Sequence, residues 1–132
     1  HCGLVGSEMC IRDSITADHG VVNIEDQNKY RLKYDESVKI YGDQRAVYIN
    51  GEVEKIEKVF KNVPGYFLEK EEIISLLGTP TNEDIKNFYP EQIFLLDDGN
   101  IIFPNHLSAN LKGYHGGISK TEVSIPLIEI IN

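Results

Sequence analysis

The polar and apolar positions of this chain change period several times along its length, and each change marks an element. RAVYING alternates β-branched and aromatic residues with smaller ones up to Asn50-Gly51, which predicts a strand ending in a turn. In the EVEKIEKVFKNV segment that follows, Val53, Ile56, Val59 and Phe60 recur at helical spacing, and Pro64-Gly65 closes that helix. GYFLE reads as a further strand. KEEIISLLG reads as a short helix stopped by Gly78, and Asn82 is placed to cap a helix through EDIKNFY. QIFLLDDGNIIFP sets two apolar runs on either side of Asp98-Gly99, the composition of a two-residue β-hairpin turn. GYHGGISKTEV then passes through a glycine-rich loop and a helical turn into SIPLIEI, a closing apolar strand. At the front, ITADHG reads as the end of a buried strand, and the stretch from Glu25 to Asp43 as a long surface loop. Strands and helices interleave throughout residues 15–132 without a linker or repeat, so we read one continuous α/β segment.

Residues 1–14, HCGLVGSEMCIRDS, are read apart from this segment. They resemble translated sequencing-adapter sequence and are expected to be a non-native arm outside the core. Their pattern fits neither a buried strand nor an amphipathic helix. Both cysteines, Cys2 and Cys10, lie in this stretch, which removes the usual implication of a disulfide or thiolate metal site. The remainder is cysteine-free, which favours a reducing, cytoplasmic location.

Composition narrows the partners. A chain of 132 residues is long enough for one core, and its longest apolar runs, IFLL and SIPLIEII, fall short of the roughly 18 residues of a membrane span. The formal charge of -8 opposes binding to a polyanion, so a nucleic-acid polymer is not expected. An anionic small substrate would need its charge offset by something other than side chains. Divalent cations are the usual means.

Two clusters could hold such ions. Asp18-His19-Gly20 joins a carboxylate to an imidazole at a strand end, where open α/β sheets bind ligands, and the glycine lets the chain leave the strand so that neighbouring side chains converge. Imidazole and carboxylate together suit zinc or a similar ion. The second cluster is Lys112-Gly113-Tyr114-His115-Gly116-Gly117-Ile118-Ser119, in which glycines permit close approach to a histidine. Taken singly, each is more often a simple turn. Their joint occurrence, about a hundred residues apart and before an apolar closing strand, changes the balance. His106 reads as an exposed loop histidine, Tyr114 as a packing residue, and the acidic run from Glu69 to Glu72 as a solvated helix start.

ITADHGVVNI resembles the ADHG segment of the type I phosphodiesterase/nucleotide pyrophosphatases, a branch of the alkaline phosphatase superfamily, and KGYHGGISKTEVSIPLI resembles their closing GxHGGxSxxE…PL segment. The resemblance implies a C-terminal portion of a doubly wound sheet with a β-hairpin, from an enzyme hydrolysing phosphodiester or pyrophosphate bonds in a small phosphate ester or nucleotide. It implies two divalent metal ions, usually zinc, with Asp18 and His19 on one and His115 on the other. The family's nucleophile and remaining ligands lie before the ADHG motif. Neither Thr16 nor Thr121 matches the nucleophile's position, so this chain is expected to be a C-terminal fragment without a catalytic nucleophile and inactive alone. Sister branches of the superfamily (phosphomonoesterases, sulfatases, phosphomutases) share the metal core and remain alternatives. A non-catalytic α/β binding module is the alternative of a different class.

Overall fold

A computed structural model of the chain describes residues 12–103 and 110–131. Its largest sheet is antiparallel, with strand order β4-β5-β7-β6: β4 (Val38–Gly42), β5 (Ala46–Gly51), β7 (Gln92–Leu96) and β6 (Gly65–Phe67). Helix α1 (Val53–Phe60) follows β5 and buries Ile56 and Phe60, the inward residues of its apolar stripe. These two pack with Val47, Ile49, Phe94 and Leu96 in the principal core, where the rings of Phe60 and Phe94 lie 4.7 Å apart. On the opposite face of the sheet, Ile93 and Leu95 meet Ile73 of α2 (Lys70–Leu77). The alternation along β7 therefore supplies two cores, one on each side of the strand.

The local signals in the middle of the chain hold. Helix α2 begins with a reciprocal capping box between Glu69 and Glu72 and ends at Gly78, whose positive φ of 77° a side chain would disfavour and whose amide donates to the Ile74 carbonyl. Asn82 caps α3 (Glu83–Phe88) by accepting a 2.8 Å hydrogen bond from the Ile85 amide.

Three expectations are corrected. The stretch from Glu25 to Asp43 is not a surface loop: it contains a turn of 3-10 helix (Asp26–Asn28), β3 (Lys29–Arg31) and β4, and it sends Leu32 and Val38 into the principal core. Its single buried apolar residues are set among charges and tyrosines, too sparse for a periodicity reading to register. The expected hairpin also divides. A turn at Asp97–Asn100 joins β7 to β8 (Ile101–Phe103) as Asp98-Gly99 implied, but β8 pairs in parallel with β3 instead of folding back on β7. The turn carries β8 past Arg45 and Gln44, which take the amides of Leu96 and Ile102 on successive carbonyls. Finally, residues 12–14 are not an irregular arm. They belong to β1 (Arg12–Thr16), which pairs antiparallel with β10 (Leu127–Ile131).

That β1–β10 ribbon also differs from the buried strand expected at ITADHG. Ile15, Leu127, Ile128 and Ile130 are all exposed, because nothing among the described residues covers either face. Cys2 and Cys10 lie outside the described residues, as does His106. The α/β class stands, although among the described strands only β3 and β8 run parallel. No helix among the described residues is long and apolar enough to cross a membrane.

Truncating Ile56 to alanine removes a fully buried side chain where α1 meets β5, and should cost about 2–5 kcal/mol. Asn82→Ala should cost only about 1 kcal/mol through the lost cap. Urea denaturation of both variants checks the ranking, and an equal or inverted pair of losses would contradict it.

Candidate metal centre

The two histidine loops meet because a short ribbon joins their flanks. Strand β2 (Val22–Asn23) follows the Asp-His-Gly turn, and β9 (Gly113–Tyr114) precedes His115; the two pair antiparallel, with Val22 opposite Tyr114. Tyr114 is buried against Phe103, Ile101 and Ile24, so it packs as expected and anchors the ribbon. The imidazoles of His19 and His115 stack face to face, with centroids 3.7 Å apart and planes 19° from parallel.

Asp18 lies against the first of these rings. The Asp18 carboxylate accepts the His19 amide at 3.0 Å through Oδ1, and its Oδ2 stands 3.5 Å from His19 Nε2. On the other side of the ring, Nδ1 is 2.9 Å from the Gly20 carbonyl, which can only accept, so this bond uses the Nδ1 proton; in the tautomer that carries only that proton, the Nε2 lone pair is open to a ligand. Two donor atoms on a tetrahedral zinc stand about 3.3 Å apart for bonds near 2.05 Å, so the spacing of Oδ2 and Nε2 fits one such ion. The stacked His115 ring lies 3.7 Å from the His19 ring, which brings a second imidazole beside the Asp18–His19 pair. Among the described residues, no group of three or more His, Cys, Asp or Glu side chains is placed to hold one metal ion.

What holds the two loops in register is Glu122, in the short helix α4 (Lys120–Val123). Its backbone carbonyl accepts the Gly20 amide at 2.7 Å, fixing the loop that carries His19. A Cβ at Gly20 would stand 1.8 Å from the Thr121 carbonyl oxygen, so only glycine allows this approach. The Glu122 carboxylate in turn accepts the Gly117 amide at 2.8 Å and the Ser119 hydroxyl at 2.6 Å, fixing the loop that carries His115.

Arg45 completes the carboxylate's shell as a two-pronged partner, Nε to Oε1 at 2.6 Å and Nη2 to Oε2 at 2.9 Å, while its Nη1 donates to the Asn100 carbonyl at 2.8 Å. Both side chains are essentially inaccessible, at 1% for Arg45 and 3% for Glu122. Burial would raise the Glu122 pKa, but the hydrogen bonds from Arg45, Ser119 and Gly117, with the charge of Arg45, outweigh it and hold the carboxyl below its usual range.

The His19 and His115 rings are thus in contact and Asp18 lies beside the first; Arg45 was passed over in the sequence reading, and Glu122, the last residue of the GxHGGxSxxE segment, was given no role there. Ser119-x-x-Glu122 is a helix-start pattern that could have flagged the local bond. Arg45, one cation in a polar turn, carries no such signal.

No family model and no curated protein matches the chain. Solved structures do. Over 88% of its length the chain superposes on murine ectonucleotide pyrophosphatase/phosphodiesterase 5, with a TM-score of 0.64 and 20% identity. Over 89% it superposes on phosphonoacetate hydrolase from Sinorhizobium meliloti 1021, solved with phosphonoacetate, with a TM-score of 0.60 and 14% identity. At these identities the likeness shows the fold alone, an alkaline phosphatase-like α/β fold. The chain spans about a third of the length of these structures, 33% and 35%.

Glu122→Gln should cost about 3 kcal/mol at neutral pH, because it leaves the buried Arg45 guanidinium only the exposed Asp98 carboxylate, 3.3 Å from Nη2, as counter-ion. The folded pKa of Glu122 is depressed, so its contribution is present above the ordinary carboxylate pKa and is lost as pH falls through the folded value. The gap between wild type and variant in urea titrations should therefore narrow in acid. A gap that stays constant down to pH 3 would contradict the assignment.

Proposed function

We propose that this chain is the C-terminal, ligand-bearing part of a metal-dependent phosphoester hydrolase, of the type I phosphodiesterase/nucleotide pyrophosphatase branch of the alkaline phosphatase superfamily. The observation that carries the reading is the 3.5 Å separation of Asp18 Oδ2 and His19 Nε2, compatible with two ligands of one ion, with the His115 ring stacked on that of His19. The pyrophosphatase/phosphodiesterase and phosphonate hydrolase among its structural neighbours support the same class of chemistry.

In this reading Asp18 and His19 hold one divalent ion and His115 helps to hold a second, zinc being the ion that the donor set suits. When bound, such ions offset the phosphoryl charge, a need that a chain of formal charge -8 does not meet with side chains alone. The Gly20 carbonyl favours the His19 tautomer with its proton on Nδ1, which presents Nε2 to an ion. Glu122, through Gly20 and Gly117, sets the spacing of the two loops. Three ligands leave both ions short of the four-coordinate shell that zinc favours, so the complete site draws further ligands, and the nucleophile, from outside this chain. The phosphonoacetate hydrolase favours a second reading at the same site, a phosphonate in place of a phosphodiester.

The 132-residue chain alone should bind zinc weakly, with Asp18→Ala and His19→Ala each weakening binding in calorimetry, and should not turn over bis-(p-nitrophenyl) phosphate with added zinc or manganese. Zinc binding unaffected by these substitutions would overturn the ligand assignment. Turnover abolished by His19→Ala or His115→Ala would instead overturn the requirement for groups from outside the chain.

A further inference from the structure

A second site is outlined by the segment that the sequence reading took for a loop. Between the β3–β4 stretch and α1 lies an open cleft of about 530 Å³, within the range of small-molecule sites, and it shares no residue with the metal centre. Its floor is apolar, built from Leu32, Val38, Val59 and Val63, and the half-buried rings of Tyr30 and Tyr34 pack against the same core. Its rim is cationic. Arg31, Lys33, Lys55 and Lys58 line it against one acidic residue, Asp35, in a chain whose formal charge is -8.

This distribution runs against the charge of the molecule as a whole. Low-dielectric walls with charge of one sign focus the local field, so the cleft attracts anions that the rest of the surface repels. Lys55 is paired with Glu52 at 3.1 Å, and Arg31 also has a partner of its own, so Lys33 and Lys58 are taken as the principal cations for a bound anion. The apolar floor and tyrosine rings suit a flat ring, which aromatic side chains hold by stacking. Asp35 is fixed by the hydroxyl and amide of Ser37, both on Oδ1, and these bonds hold its pKa below the usual range; its other oxygen can accept from a hydroxyl.

We propose that this cleft binds a small organic phosphate with a flat ring, of the nucleoside monophosphate class: the ring over the tyrosines, the phosphate at Lys33 and Lys58, and sugar hydroxyls toward Asp35. This goes beyond the phosphoester hydrolase reading and does not depend on it.

The test is calorimetry of the 132-residue chain with a chelator present, so that the metal centre plays no part. AMP is expected to bind with a Kd below about 1 mM, and adenosine and inorganic phosphate each about tenfold or more weakly, since each carries half of the recognition. Lys33→Ala/Lys58→Ala should weaken AMP about tenfold and flatten its salt dependence, and Tyr34→Ala should weaken AMP but not phosphate. His19→Ala should leave AMP binding unchanged. Absence of AMP binding at about 5 mM, binding insensitive to the lysine pair, or binding lost with His19→Ala would each overturn the proposal. None of these outcomes bears on zinc binding at Asp18 and His19, so the two readings fail separately.

Discussion

The geometry of the candidate centre depends on one buried ion pair. Glu122 receives four hydrogen-bond donors on its two carboxylate oxygens, from Arg45 twice, from Ser119 and from Gly117. A carboxylate so satisfied tolerates burial that would otherwise cost several kcal/mol per ion. The same residue's backbone carbonyl takes the Gly20 amide. One residue of α4 therefore holds the Asp-His loop with its main chain and the His-Gly loop with its side chain. Arg45 extends the link to the Asn100 carbonyl, and so to the turn between β7 and β8. An apolar pair of equal volume could fill the space, but it would leave the Gly117 amide and the Ser119 hydroxyl without their acceptor. The pair therefore contributes specificity of placement more than net stability.

Glycine makes the arrangement sterically feasible. Gly20 sits where a Cβ would overlap the Thr121 carbonyl, and Gly117 where it would meet the Glu122 carboxylate and the Arg45 guanidinium at 2.7–3.0 Å. Gly116, at φ 101°, lies against Asp43 in the turn before Arg45. The glycines that flank His115 thus serve close packing around the ion pair as much as access for a ligand. An exposed, unaided loop would hold His115 far less firmly.

Legibility in the sequence followed the range of the interactions. Local signals were readable: the stripe of α1, the Gly78 stop and the Asn82 cap each rest on contacts within a few residues. The Asp18, His19 and His115 grouping was legible only through resemblance, since the two loops meet across β2–β9 from opposite ends of the chain. What escaped depends on partners distant in sequence. Asp98-Gly99 does turn the chain, but which strand β8 then joins is decided by β3, some seventy residues earlier. Leu32 and Val38 are core residues because β5 and α1 cover them, not because of any period around them. Arg45 was invisible for the same reason: its partner lies 77 positions away.

Glu122 holds the loops of His19 and His115 in register, so the two rings should respond to zinc together. This joint response is tested most directly by following the imidazole nitrogen and ring-proton signals of the 132-residue chain by NMR as zinc is added. With Glu122 intact, the Nε2 resonance of His19 should move with zinc while Nδ1 stays protonated, and the His115 ring should respond over the same range of zinc concentration. In Glu122→Gln the two rings should titrate apart while the helix signals of α1 stay in place. Rings that respond independently in the wild type, or a joint response that survives Glu122→Gln unchanged, would contradict the account.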